Sequence, residues 1–184
     1  PAGRAPIIFI QDPSINRVPP PGVLGTGRAY HGFGRTLNYD DPKQLLLGDF
    51  PGGLKDVATE VPEVRAELID LYTRWVEIAD LDGFRIDTVK HVEHDFWKVF
   101  TKGVRDRLAT QGKKNFFMFG EAFDGDDALV GSYTGNEQVD SAFFFPQKFA
   151  VIDRVIKFGQ EGTTTIENQF NTLKTAYSNT PNSD

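Results

Sequence analysis

The sequence predicts an α/β fold, in which successive βα units lay a parallel sheet against a layer of helices. Three observations predict it. From Pro62 onward, short apolar strand patterns and amphipathic helix patterns alternate at a period of roughly 30 residues, the signature of consecutive βα units. The helix patterns are punctuated by start and stop residues, Pro62 ahead of one and Gly112 behind the next. The strand patterns are short runs rich in Phe and Ile, as expected of strands buried inside a sheet.

Residues 1–58 read differently. They hold one apolar run, Ile7–Ile10, then Pro19, Pro20, Pro21 and Gly22, followed by Gly25, Gly27, Gly32 and Gly34. Such a density of turn formers predicts an irregular insertion with one or two short strands. The organisation expected is therefore an inserted loop-rich domain at 1–58 and regular βα units at 59–184.

The first long helix starts at Pro62, whose missing N–H costs nothing at the first helical position. Its apolar stripe runs through Val64, Leu68, Leu71, Tyr72, Trp75, Ile78 and Ala79. Val61 offers no capping side chain, so the helix start has little local support. The pattern stops before Gly83, and Phe84–Asp87 alternates like a strand. A second helix begins near Asp95 with Phe96, Val99, Phe100, Val104 and Leu108 on one face, and Gly112 ends it. Phe116–Phe119 follows as a buried strand and Ser141–Phe145 as another, stopped by Pro146, with a helix expected at Phe149–Phe158.

Composition removes several function classes. The 184 residues carry 20 Lys+Arg and 26 Asp+Glu, a formal charge of −6. That balance argues against a nucleic-acid partner, because phosphate binding needs concentrated basic surface. No run approaches the roughly 18 apolar residues of a membrane span, so no membrane partner is expected. Cysteine is absent, which excludes disulfides and thiolate metal sites. The three histidines, His31, His91 and His94, lack the spacing of a helical zinc motif, and His94 is expected at the surface.

Two predicted strands end in carboxylates: Asp87 closes Phe84–Asp87, and Glu121 follows Phe116–Gly120. In α/β sheets the functional cleft lies at the carboxyl ends of the strands. Side chains alternate along a strand, so Arg85 and Asp87 share one face while Phe84 and Ile86 turn to the helices. Charged groups on a buried face must satisfy one another or serve function. From spacing alone, an ion pair that merely closes a layer of the fold explains Arg85 and Asp87 equally well.

Residue identity separates these readings. Gly83-Phe-Arg-Ile-Asp-Thr-Val-Lys-His91, with Phe119-Gly-Glu121 behind it, resembles the α-amylase family of glycoside hydrolases. Leu54-Lys-Asp-Val-Ala-Thr-Glu-Val-Pro-Glu-Val-Arg65 is similar to the family's approach to the preceding helix. Gly120-Glu-Ala-Phe-Asp-Gly-Asp126 and Asp140-Ser-Ala-Phe-Phe-Phe-Pro146 are similar to its next strand ends. Together these motifs cover residues 54–150 in the family's order and spacing.

The resemblance implies part of a (β/α)8 TIM barrel, about strands four to six, with the family's inserted domain ahead of them. It implies a retaining glycoside hydrolase acting on α-1,4-glucans in an endo manner. Asp87 is then the nucleophile and Glu121 the general acid and base. Arg85 holds Asp87 ionised and oriented, since a nearby cation favours the charged form. Glu121 must be protonated near neutrality, and Phe116–Phe119 with Phe123 are the expected source of an apolar wall around it. The resemblance further makes Lys90 and His91 contacts to sugar hydroxyls. It also makes Asp56 and the His91 carbonyl ligands of a structural calcium, although Ala58 stands where the family more often has Asn or Asp.

Two motifs of the family, an Asp-x-x-x-Asn-His and an Asn-His-Asp, do not occur in the 184 residues. The expectation is a central fragment of a larger enzyme, inactive in isolation, whose partner is the remainder of its catalytic domain. A transglycosylase with the same catalytic residues, or an amylase-like binding protein without catalysis, are the alternatives. The resemblance alone points to secretion or the periplasm.

Overall fold

The computed structural model describes residues 22–177, Asn136 excepted. The strand pattern at Ile7–Ile10 and the first part of the expected insertion lie outside the described residues.

Three short strands form one parallel sheet in the order β1 (Gly83–Ile86), β2 (Phe117–Gly120), β3 (Ser141–Ala142). Helices connect them: α2 (Pro62–Ala79) leads into β1, and α3 (His94–Thr110) crosses from β1 to β2. The sheet face turned to the helices carries Phe84, Ile86 and the fully buried Met118. They join Phe96, Trp97, Phe100, Val104 and Leu108 of α3 in the main core. The opposite face carries Arg85, Phe117, Phe119 and Phe143, with Phe117 and Phe143 largely exposed and Phe119 packed edge-on to Phe143. Side-chain parity along β1 and β2 is therefore as the alternation predicts.

Ahead of this unit, residues 22–58 hold two 3₁₀ turns, the short helix α1 (Pro42–Leu47) and isolated bridges such as Tyr30 with Val57. The segment is pinned at its exit. Arg65 donates from Nε to the Thr59 carbonyl and from Nη2 to Glu93, while the Thr59 hydroxyl donates to the same Glu93. Val61 makes no side-chain cap, so this long-range anchor supplies at the start of α2 what its cap position does not.

Several boundaries differ from expectation, each for a physical reason. α2 buries Val64, Thr73 and Val76, with Leu68 and Ile69 packed against the core. Leu71, Tyr72, Trp75 and Ile78 of the predicted stripe are exposed among the described residues. α3 meets the Ile69 side of α2 because Gly103 leaves room there; a Cβ on Gly103 would sit 2.7 Å from Ile69 Cδ1. Val99, expected on the buried face of α3, is likewise exposed.

The third strand stops at Ala142, because Phe145–Gln147 forms a helical turn, α5, with Pro146 in its first two positions. Proline there starts a helix as readily as it ends a strand. The helix expected at Phe149–Phe158 is a π-helical run, Lys148–Lys157, closed by Phe158 N–H donating to Asp153 at 2.9 Å. Phe145 and Phe149 lie nearly parallel, 6.1 Å apart, with Phe123 edge-on to both. His94, expected at the surface, is half-buried: it stacks on the buried Tyr133 at 4.2 Å and contacts Gln138 through Nδ1. α4 (Asp127–Ser132) and α6 (Thr164–Ala176) complete the described chain.

Candidate active site

Asp87 and Glu121 each stand one residue past a strand. The register pairs Ile86 with Gly120, so the two carboxylates occupy equivalent positions on neighbouring strands. The main chain carries the ladder past them. Glu121 N–H donates to Ile86 at 2.7 Å, and Val89 N–H donates back to Glu121 at 3.0 Å. Immediately after Asp87 the chain turns sharply: Thr88 lies in the left-handed region with φ 55°, sparsely populated for a β-branched residue. That turn feeds a 3₁₀ segment, Val89–His91, which buries Val89 and is held by the Trp97 indole donating to the Val89 carbonyl at 3.0 Å.

Gly120 permits this arrangement. A Cβ on it would lie 2.5 Å from Val89 Cγ2, so only a residue without a side chain lets the turn after β1 rest on the end of β2.

Arg85 joins the two carboxylates. Its Nη1 lies 3.2 Å from Asp87 Oδ2, and its Nη2 donates to Glu121 Oε2. The guanidinium also stands 5.8 Å from the Phe143 ring centroid. The aromatic residues expected to wall Glu121 are divided between the core and the open face of the sheet. Phe116 is buried in the core, Phe117 stacks on Phe119, and Phe123 packs on Phe145 and Phe149.

Lys90 and His91 part company. Lys90 extends across to the loop after β2, where Nζ meets Asp124 Oδ2 at 3.0 Å. Burial alone would raise the Asp124 carboxyl pKa. The Lys90 contact and the Asp126 and Gly125 N–H groups outweigh it and hold the group below the ordinary Asp value. The His91 ring turns toward residues 22–58, with Nδ1 donating to the Leu45 carbonyl at 3.2 Å and the ring edge-on to Phe50. Burial lowers its pKa.

Asp56 pairs with a residue that sequence reasoning did not assign. His31 Nδ1 lies 2.5 Å from Asp56 Oδ2, and His31 Nε2 lies 2.9 Å from Glu60. Burial opposes charge on His31, yet its hydrogen bonds to Asp56 and Glu60 outweigh burial and raise its pKa. Burial raises the Asp56 carboxyl pKa, and the negative charges of Asp49 and Glu60 add to it. Asp56, Arg85, Asp87 and His91 all line one cavity of about 500 Å³ between residues 50–59, α2, β1 and α3. Among the described residues, no three acidic or imidazole side chains surround a common point.

The family model described as the alpha amylase catalytic domain matches residues 11–183. The chain belongs to the alpha-amylase family. It is 43% identical over 126 residues to an alpha-amylase of Streptomyces lividans, covering 68% of this chain and 13% of that protein. To alpha-amylase 1 of Lipomyces kononenkoae it is 31% identical over 152 residues, covering 79% and 22% respectively. Among solved structures, an alpha-amylase from Geobacillus thermoleovorans complexed with acarbose aligns with TM-score 0.67 and 30% identity. That alignment covers 83% of this chain and 32% of the other. The chain thus spans less than a third of these relatives. Within the family, the three parallel strands are part of a (β/α)8 barrel, incomplete in this chain. No helix of the described residues is long and apolar enough to cross a membrane.

Proposed function

We propose that the protein is a retaining glycoside hydrolase acting within α-1,4-glucan chains, with Asp87 as nucleophile and Glu121 as acid and base. The observation that carries this reading is the single guanidinium of Arg85 shared by two carboxylates at equivalent ends of adjacent parallel strands. Neighbouring strands lie about 4.8 Å apart, and retaining enzymes hold their carboxyl groups about 5–5.5 Å apart. Because one guanidinium reaches both carboxylates, they stand close together, which supports a direct attack in preference to the wider, water-filled gap of inversion.

In this mechanism Glu121 delivers its proton to the glycosidic oxygen as the bond to the anomeric carbon breaks. Asp87 closes on that carbon from the opposite side and forms a glycosyl ester. Glu121, now a carboxylate, takes a proton from water, which displaces Asp87 and regenerates both groups. Arg85 keeps Asp87 aimed between the two steps. In this reading Lys90, with His91 beside it, contacts hydroxyls of the neighbouring sugar.

The test is direct trapping. A fluorinated maltooligosaccharyl fluoride should form a stable ester, and peptide mass analysis should place it on Asp87. A label on any other residue, or none on active protein, overturns the assignment. The same experiment opposes a non-catalytic binding role.

A structural calcium at Asp56 and the His91 carbonyl belongs to the same proposal. Its support is the set of carboxylates Asp49, Asp56 and Glu60 at the seam between residues 22–58 and the β1 turn, which Lys55 and His31 now pair; the ion would take the place of His31 on Asp56. Calcium takes six to eight oxygens, so main-chain carbonyls and water would complete the shell. When bound, the ion would tie the two segments together. At about 100 times its dissociation constant calcium should add about 2.7 kcal/mol of stability, read as a raised denaturation midpoint. Asp56→Asn should remove that gain, and a midpoint indifferent to both calcium and chelator sinks this part.

A further inference from the structure

We propose that Asp124 is a positioning residue for the sugar-binding Lys90, an inference that rests on the glycosidase reading above. Lys90 and Asp124 each follow a proposed catalytic carboxylate by three residues, on the loops after β1 and β2. Their side chains meet at 3.0 Å and are largely shielded from solvent, with 16% and 29% of their surface accessible. The main chain of Lys90 is held as well, since it lies in the 3₁₀ turn and its carbonyl accepts from the Tyr133 hydroxyl at 3.4 Å. Asp124 is itself fixed, because its Oδ1 accepts the Asp126 N–H at 3.0 Å.

The pair is not needed to space Asp87 from Glu121. The two main-chain hydrogen bonds between these loops, Glu121 to Ile86 and Val89 to Glu121, already do that. What Asp124 adds is direction. An ammonium has three donors; Asp124 takes one and fixes the stem, which leaves two aimed donors for neutral hydroxyls of a glucan. A free lysine would have to be ordered by the substrate at each binding event, a loss of rotamer freedom that weakens affinity. The effect therefore falls on substrate binding and spares the chemical step.

Asp124→Asn is expected to raise KM for maltoheptaose about five- to thirty-fold while kcat stays within about threefold. Asp124→Glu, which keeps the charge on a longer arm, should recover part of the loss. Lys90→Met should weaken binding, and adding Asp124→Asn to it should cost nothing more, because coupled residues are non-additive. Calorimetric binding of maltoheptaose in a Glu121→Gln background gives the same comparison independently of turnover, and also serves if one variant folds poorly. A wild type that neither labels on Asp87 nor binds maltoheptaose sinks the glycosidase reading, and the positioning role with it. A wild type that labels normally, beside an Asp124→Asn form with unchanged KM and affinity or a fully additive double variant, sinks the positioning role alone.

Discussion

Asp87→Asn is expected to lower glucan hydrolysis by about 10⁴–10⁶-fold, the range in which loss of a nucleophile places other enzymes of covalent mechanism. The amide nearly matches the carboxylate in shape and can still face Arg85, so the variant should fold and bind substrate. What it lacks is the electron pair that attacks the anomeric carbon. Glu121→Gln should cost less, about 10²–10⁴-fold, the usual worth of a general acid or base. Its deficit should also depend on the substrate. A glycosyl fluoride needs little protonation to leave, so formation of the glycosyl ester should stay fast in Glu121→Gln and fail in Asp87→Asn. Burst kinetics with such a substrate, measured on the protein at its natural length, separates the two roles. Near-normal starch hydrolysis by either variant would falsify the pairing.

Phe100→Ala should be the most destabilising substitution in the framework that carries the site. Phe100 is 4% exposed, stacks on Phe96 at 5.3 Å, and stands edge-on to Tyr72 and Trp97. Truncating such a side chain leaves a cavity that its neighbours only partly fill, at about 3–5 kcal/mol. Total stabilities run about 5–15 kcal/mol, so the loss is a large share of what holds the fold. The denaturant midpoint should fall with an unchanged slope. A change below about 1 kcal/mol would mean that this aromatic cluster does not carry the contact between α2 and α3. Since Trp97 from the same cluster also holds the Val89 carbonyl, activity should decline before unfolding is complete.

The sheet was legible because its signals are local. Alternation over Phe84–Asp87 and the apolar run before Glu121 fix which side chains face the helices, and parity then places Arg85, Asp87 and Glu121 together. Contacts set by tertiary packing left no such trace. Nothing local to His31 marks its contacts with Asp56 and Glu60, 25 and 29 residues away. Nothing local to Asp124 marks Lys90, although an acidic run shortly behind Glu121 could have drawn attention to it. Periodicity showed that α2 has an apolar face, but Gly103 on another helix decided which part of α2 is covered by α3. The helical turn at Phe145 likewise depends on what Pro146 does next, and the residue type alone allows either outcome.

The contact between Gly120 and Val89 makes two positions 31 residues apart behave as one in descent. Neither can gain volume alone: a methyl group at 120 needs the space that a valine methyl now occupies. Lineages that keep the turn seated on β2 should therefore exchange the two residues in concert, a larger one at 120 with a smaller one at 89. Growth at either position on its own is closed off, whereas a smaller residue at 89 opens the way for a larger one at 120.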